Sequence, residues 1–450
     1  AAYADQAAVA GKVYASTADG VAATAIGEYF SVPAGGDGSD FLILYKNVDD
    51  TAGNCLEVGR SPGALLLQNT GSPDYPAVLV DSQDRVVLAM QADGTVEVAA
   101  LQAATINGQA QAPLPTGTYE DEVNHVISYG QSLSIGADSM SSTPLSTVQR
   151  HNSVMFNGGV RPNDSGLVPA TIYASLQPLV ESYYVAGGNE TPVAGTCEAI
   201  NDLVFAENGL AYGDHSFQIL GSAAGEGSKS LAQLSKPSTY YSRVLEQVTY
   251  GKSLANAAGK TYGVRAVTWA QGESDTAADV PAATYIAALN QLVTDLNTDI
   301  KAITGQTSDV HLVTSQLASF VTYGKSAPTI ALALLDAANT NPLIHLAVPN
   351  FILMHNDTDQ IHLQRESYKK KGAYFGKVIK RVCVDGATWS PVQPVSAKRQ
   401  GSVVVLKFHV PRGPLVLDTI NVRINTDYGF SLVDSGGSAI TISSVQLLGG

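Results

Sequence analysis

Residues 125–134 read His125-Val126-Ile127-Ser128-Tyr129-Gly130-Gln131-Ser132-Leu133-Ser134. A short, mostly apolar run ends at a glycine, and a Gln-Ser pair follows at once. Such a run is consistent with a buried strand. A serine just past a strand, beside a glycine, can be held at the sheet edge with its hydroxyl exposed. Working outward, the same short apolar runs recur at Phe217–Leu220, Ala266–Ala270, Val310–Ser315 and Phe351–His355. Helical periods lie between them. Tyr241, Val244, Leu245 and Val248 share one face; so do Tyr285, Leu289, Leu292, Val293, Leu296 and Ile300, and then Phe375, Val378, Ile379 and Val382. Repeated strand–helix units predict an α/β domain with a parallel sheet covered by helices on both sides. In such a sheet ligands bind beyond the carboxyl ends of the strands.

The flanks have a different character. Residues 1–30 are rich in Ala, Gly and Thr, and a helix or irregular lead-in is read over Ala8–Tyr14. Tyr29–Val32 and Phe41–Tyr45, separated by Gly35-Gly36-Asp37-Gly38, read as β hairpins. Two runs flanking Asp93-Gly94 give a further hairpin signal. Isolated two-stranded units are barely stable, so this region is expected to need a partner, such as other copies of itself. Gln111–Gly117, with two prolines and a glycine, reads as a linker. After Gly386 the pattern returns to β, with Ser402–Val410, Leu415–Asn421 and Ala439–Leu448 as strands of a sandwich-like module. The expected division is a β-rich region at 1–63, a hairpin and linker at 64–117, the α/β domain at 118–385 and a β module at 386–450.

The chain has 450 residues and a formal net charge of −14, from 26 Lys plus Arg against 40 Asp plus Glu. An acidic balance without clustered basic residues argues against a nucleic-acid partner. No apolar segment approaches the length of a transmembrane helix, so membrane insertion is not expected. Cys55, Cys197 and Cys383 cannot all pair within one chain, and their spacing resembles no metal knuckle.

Each strand of the central domain is followed by a small polar loop. The first carries Gln131 and Ser132. The second, Gly221–Ser228, has glycines that would let backbone N–H groups approach a substrate oxygen; it lacks the Gly-Lys-Ser/Thr ending of a phosphate loop. In the third, Trp269–Asp275, a Gln271 amide can donate to an oxyanion and Glu273 can orient its neighbours. A simple helix-capping loop is the alternative there. The fourth, Asp357–Leu363, places Asp359 three residues before His362. The carboxylate could accept from Nδ1–H and leave Nε2 as a base. A metal reading of the same stretch would use His355, Asp357, Asp359 and His362, but no further ligand set accompanies it. Together the loops supply a nucleophile, oxyanion donors and an acid–base pair in the order Ser, Asp, His, all beyond predicted strands.

Gly130-Gln131-Ser132, the glycine loop at Gly225–Ser230, Gln271-Gly272-Glu273-Ser274-Asp275 and Asp359-x-x-His362 resemble the SGNH hydrolases, closest to the sialate O-acetylesterase-like and acetylxylan esterase branch. The resemblance spans about Asn124–Asp385. It implies a flavodoxin-like three-layer fold and ester hydrolysis without metal or cofactor. Carried over, Ser132 is the nucleophile, His362 the base and Asp359 its orienter. The oxyanion hole would be the Ser132 N–H, Gly225 or Gly227, and the Gln271 side chain, with Gln131 and Glu273 in support. Two departures stand out: Gly225-Glu226-Gly227-Ser228-Lys229-Ser230 replaces a Gly-Gly-Thr-Ser pattern, and Leu133 replaces the usual Asn.

A looser resemblance lies in the lead-in. Gly11–Thr17, Gly27–Val32, Leu44–Asn47 and the Asp93-Gly94-Thr95 hairpin look like bacteriophage tail fibre and tailspike segments. This implies a homotrimer in the virion, joined to other tail proteins and acting outside the cell on acetylated O-antigen or capsule. Two rival expectations share the sequence: a non-catalytic polysaccharide-binding fibre, and a secreted acetylxylan esterase. A metal-dependent deacetylase is the third.

Overall fold

In the computed structural model the described residues are 14–33, 42–49, 56–60, 66–69, 77–80, 86–90, 96–97, 105–106, 109–110, 121–139, 143–164, 169–181, 190–208, 218–420, 422 and 427–447. The chain forms two compact units, residues 1–112 and 113–450. The stretch read as a linker falls wholly outside the described residues, as do the lead-in at 8–13 and the Asp93-Gly94 turn.

In the first unit, helix α1 (Thr17–Ala23) begins at Ser16, whose hydroxyl accepts from the Asp19 amide. Strands β1 (Tyr29–Pro33), β2 (Leu42–Lys46) and β3 (Leu56–Arg60) form an antiparallel sheet. Val21, Phe30 and Val32 make its small core. A four-stranded meander follows, of β4 (Leu66–Asn69), β5 (Ala77–Val80), β6 (Val86–Met90) and β7 (Val96–Glu97). The strands on either side of the Asp93-Gly94 signal do pair, Met90 opposite Val96. A last pair joins β8 (Thr105–Ile106) to β9 (Gln109–Ala110).

The second unit is built on a seven-stranded sheet. Its strands are β10 (Val123–Gly130), β11 (Val154–Phe156), β12 (Leu176–Pro178), β13 (Gln218–Ala223), β14 (Tyr262–Ala270), β15 (His311–Gln316) and β16 (Ile344–Pro349). They lie in the order β12-β11-β13-β10-β14-β15-β16, all parallel except the edge strand β12. The run β13-β10-β14-β15-β16 is the 2-1-3-4-5 order of a flavodoxin-like sheet, with β11 and β12 added at one edge. Its switch point lies between β10 and β14, where the first and third loops emerge.

Helices cover both faces. On one side pack α3 (Thr239–Ala257), α5 (Ala282–Thr304) and α6 (Thr329–Thr340); on the other pack α2 (Pro192–Asn208) and α7 (Arg365–Ile379). A short helix, α4 (Glu273–Ala277), begins within the third loop. Strand alternation divides the apolar side chains: Ile127 and Tyr129 enter the first core, Val126 the second. Tyr285, Leu289, Leu292, Val293, Leu296 and Ile300 are buried as their spacing predicts, and Leu245 of α3 is only half-buried at the margin of its face.

One expected strand is displaced. The run Phe351–His355 is not the last strand; the strand is Ile344–Pro349, and 350–352 form a single 3-10 turn. Pro349 ends the ladder because it has no N–H to donate. Phe351 and Met354, read as apolar strand residues, are exposed. Beyond residue 386 the chain is β-rich, as expected, but the strand read at Leu415–Asn421 is not formed over the described residues 415–420, and the described strands make two separate pairs instead of a sandwich. There β17 (Gln393–Gln400) pairs with β18 (Val403–His409) and β19 (Leu432–Val433) with β20 (Ala439–Ile440), each as a two-stranded sheet.

Candidate active site

The first loop turns where Gly130 adopts φ +131°, a conformation that side chains resist. A Cβ there would lie 2.2 Å from the Ala270 carbonyl oxygen, so the backbone of β10 can pass this close to β14 only without a side chain. The Gln131 N–H then donates to Ala270 O at 2.9 Å. Ser132 starts a one-turn 3-10 helix, Ser132–Ser134. The turn is pinned from within: the Ser134 amide and hydroxyl both donate to Gln131 O, and the Ser128 hydroxyl donates to Ser134 O. The Ser132 N–H and hydroxyl have no hydrogen-bond partner among the described residues, although the residue is only 8% exposed.

The second loop is laid on the first. The Ala224 amide donates to Ser128 O and the Glu226 amide to Gly130 O. Between them Gly225 keeps its own N–H free among the described residues. A Cβ on Gly225 would meet the Ser134 hydroxyl at 2.0 Å and Gly130 O at 2.8 Å, whereas one on Gly227 would meet nothing within 4 Å. The two glycines that the sequence left open are therefore different: Gly225 presses against the Ser132 turn and Gly227 stands clear of it. Arg243 holds the loop from outside through a 2.7 Å contact with Glu226.

The third loop corrects an expectation. Gln271, read as an oxyanion donor, spends its side-chain amide on Asp275 at 2.5 Å and on the Lys229 carbonyl at 3.2 Å. Its side-chain oxygen accepts from the Tyr285 hydroxyl at 2.8 Å. Asp275 also accepts from the Leu231 amide. Gln271 is thus a brace between the second and third loops, with no amide hydrogen left for a substrate. Gln131 ties the first loop to the third by accepting from the Ser274 amide. Glu273 is buried, and burial pushes its carboxyl above the ordinary range, opposed by the charges of Lys371 and His362.

The fourth loop carries the acid–base pair. The His362 Nδ1 meets the Asp359 carboxylate at 2.5 Å. The other oxygen of Asp359 accepts from the Ile361 and His362 amides at 2.8 and 3.0 Å. Burial raises the Asp359 carboxyl, but these hydrogen bonds outweigh it and hold the group below its usual value. A carboxylate facing Nδ1 requires the proton on that nitrogen, which leaves the Nε2 lone pair available. The loop is closed by Asn356, whose amide donates to His362 O at 2.7 Å.

Two side chains absent from the sequence reading join this loop to the segment just after Ser132. Asn356 donates to Asp138 O at 2.8 Å, and the Tyr368 hydroxyl donates to Ala137 O at 2.7 Å. Asp138 itself places a carboxylate oxygen 3.7 Å from His362 Nδ1. Leu133 and Leu363, the neighbours of Ser132 and His362 in the chain, are buried in one small cluster with Ala270, Leu353 and Tyr368. No local spacing announces Asn356 or Asp138, because they matter only through contacts more than 200 positions apart in the chain. Among the described residues no three His, Cys, Asp or Glu side chains gather as a metal site. His355, a member of the alternative ligand set, instead donates from Nδ1 to Leu353 O at 2.9 Å.

An alcohol with N–H groups free among the described residues and, on a loop tied to the segment just beyond it, an imidazole held by a carboxylate are the parts that acyl transfer uses; among the described residues Ser132 and His362 make no hydrogen bond to each other. Residues 178–381 match the family model described as carbohydrate esterase, sialic acid-specific acetylesterase. That span includes the second, third and fourth loops and begins after Ser132. A comparison with curated proteins finds no match. Among solved structures, a protein from Arabidopsis thaliana is similar at 14% identity over 57% of this chain and 97% of that one, with a TM-score of 0.42. NanS is similar at 9% identity over 58% and 97%, with a TM-score of 0.39. The M. smegmatis aryl esterase is similar at 11% identity over 57% and 98%, with a TM-score of 0.33. The motifs and the family match together make the chain a carboxylic ester hydrolase, and the match supports carbohydrate acetylesterase chemistry.

Proposed function

We propose that the chain is a carbohydrate O-acetylesterase of Ser-His-Asp type that deacetylates bacterial surface polysaccharide, O-antigen or capsule, as part of a phage tail fibre or tailspike. Ser132 Oγ attacks the acetyl carbonyl while His362 Nε2 takes its proton. Asp359 holds the imidazole in the productive tautomer and stabilises its charge. The oxyanion is met by the N–H groups of Ser132 and Gly225. His362 returns the proton to the sugar oxygen, then activates the water that hydrolyses the acetyl-enzyme.

The observation that carries the chemistry is the Asp359–His362 hydrogen bond, on a loop tied to the segment just beyond a serine whose hydroxyl and N–H are free among the described residues. The substrate, the virion setting, a homotrimer and neighbouring tail proteins rest on the lead-in segments of the sequence.

The test is acetate release from a panel of O-acetylated capsules and O-antigens, run beside Ser132→Ala. Release by the parent protein and none by the variant supports the proposal. Tight polysaccharide binding without acetate release from any member would favour a non-catalytic fibre. A monomer preferring acetylated xylan would favour the secreted enzyme, and loss of activity on chelation would favour metal chemistry.

A further inference from the structure

The Gly225 N–H, an oxyanion donor in the mechanism above, stands on a loop without regular structure of its own, between the end of β13 and residue 230. A donor stabilises developing charge fully only if it is already aimed when the charge appears. The peptide planes on either side of this donor decide its aim.

A peptide unit is planar, so holding its carbonyl and its N–H together fixes its plane. In the unit joining Ala223 to Ala224, the N–H donates to Ser128 O at 2.9 Å and the carbonyl accepts from Gln247 Nε2 at 3.0 Å. In the unit joining Gly225 to Glu226, the N–H donates to Gly130 O at 3.0 Å and the carbonyl accepts from Arg243 Nη1 at 3.4 Å. Between these two held planes lies the Ala224–Gly225 unit, whose N–H has no partner among the described residues.

The two N–H groups are taken up by β10 and the two carbonyls by α3. Arg243 and Gln247 are four residues apart on that helix, so they share one face. Gln247 is fully buried. Its side-chain oxygen accepts from the Ser222 hydroxyl at 2.6 Å, and its amide also donates to Asn163 at 2.7 Å. Arg243 is held in turn by Glu226 at 2.7 Å and lies 5.0 Å from the centre of the Tyr240 ring.

We propose that Arg243 and Gln247 are positioning residues for the oxyanion hole: they clamp the two carbonyls that flank the Gly225 N–H and so fix where it points. This rests on the reading of Ser132 as nucleophile and Gly225 as donor. Both side chains act through the backbone and neither touches substrate. Without them each flanking plane keeps one hydrogen bond and can rock about it, and a glycine between the planes offers little resistance. The oxyanion exists only in the transition state and the intermediate, so the loss falls on kcat more than on binding of the ester.

The experiment uses the full chain, a small chromogenic acetyl ester and methylboronic acid as a mimic of the tetrahedral intermediate. The serine oxygen adds to boron as a fourth ligand, which sets a boron oxygen where the carbonyl oxygen would carry charge. The parent is compared with Arg243→Gln, Arg243→Lys, Gln247→Met and Ser132→Ala. Arg243→Gln is expected to lower kcat about 10-fold with KM within about twofold, a smaller loss than the roughly 10²–10³ for a donor removed outright. Its Ki for methylboronic acid should rise by a similar factor. Arg243→Lys keeps a cationic donor and should restore part of the loss in both readouts. Gln247→Met should act in the same direction as Arg243→Gln. In a Gly225→Ala background, Arg243→Gln should cost less than about twofold more, because the donor it aims is already displaced.

A clamp that serves folding alone would lower Tm and leave kcat and the boronate Ki of the folded protein in place; that result overturns the inference. A rise in KM alone would make Arg243 a substrate contact and overturns it equally. If Gln247→Met does not accumulate as folded protein, the two Arg243 variants, at a half-buried position, carry the comparison. A Ser132→Ala protein with the parent rate overturns the reading of the site itself. An inactive Ser132→Ala beside an unchanged Arg243→Gln overturns the clamp and leaves that reading in place.

Discussion

Replacing Asp359 by Asn tests the centre of the site with the smallest change of shape. In the parent, one carboxylate oxygen faces His362 Nδ1 at 2.5 Å, and the other accepts two backbone amides at 2.8 and 3.0 Å. An asparagine has one oxygen and one NH2. If the oxygen stays with the two amides, the NH2 faces Nδ1 and drives the ring proton to Nε2, where a base needs a lone pair. If the asparagine flips, the NH2 is set against two N–H donors, and each buried donor left unpaired costs about 1–3 kcal/mol. Two amides outvote one ring nitrogen, so the wrong tautomer prevails. Loss of the corresponding carboxylate in a comparable triad costs about 10⁴ in kcat, and a tenfold loss is about 1.4 kcal/mol. Asp359→Asn should therefore lower kcat about 10³- to 10⁴-fold, or about 4–5.5 kcal/mol, with KM little changed. The assay is hydrolysis of a chromogenic acetyl ester, with the amount of folded protein checked by thermal unfolding. Asp138 lies 3.7 Å from Nδ1 and is mostly exposed, so Asp138→Asn alone should cost less than about threefold. A folded Asp359→Asn protein within tenfold of the parent would refute the tautomer argument.

The remaining predictions concern the loops and the buried acids. Gly225→Ala should lower kcat by 10-fold or more, because its Cβ would sit 2.0 Å from the Ser134 hydroxyl, while Gly227→Ala should be nearly silent; equal effects would dismiss Gly225 as the loop's oxyanion donor. Gln271→Ala should destabilise the protein by about 1–3 kcal/mol by leaving Asp275 and Tyr285 short of partners, read as a fall in Tm; a large loss of kcat at unchanged Tm would restore it as a donor to the substrate. Burial first, and then the charge of Glu190, raise the Glu181 carboxyl above its unfolded value. The unfolded chain therefore releases this proton at lower pH than the folded one, and stability is lost as pH climbs from the ordinary glutamate value toward the raised one. Glu181→Gln, which keeps an oxygen for Thr191 and Ala194, should accordingly gain Tm over the parent at pH 8 more than at pH 5; an equal difference at both would contradict the shift.

Much of the α/β domain was legible in one dimension. Helix α5 was visible in the spacing of Tyr285 through Ile300, because burial on one face of a 3.6-residue period leaves its mark locally. Strand β10 and the Gly130-Gln131-Ser132 turn were equally plain, since a strand that ends at a glycine can turn sharply wherever the rest of the chain lies. The last strand was misplaced by a few residues because two short apolar runs adjoin, and only the proline between them decides which one pairs. At the site, the residue types and the order Ser132, Asp359, His362 were readable, as was the Asp-x-x-His spacing that lets one loop close its own hydrogen bond.

What tertiary structure alone decided concerns groups whose meaning comes from distant neighbours. The sequence could nominate Gly225 and Gly227 alike; the close passage of the Ser132 turn separates them. It could offer Gln271 as a donor, but whether an amide hydrogen is free depends on Asp275 and on a carbonyl at Lys229, 42 positions away. Asn356 and Asp138 carry no shared local pattern at all. Periodicity is a property of neighbours along the chain. Hydrogen-bond satisfaction and charge pairing are properties of neighbours in space, and only the folded sheet brings those together.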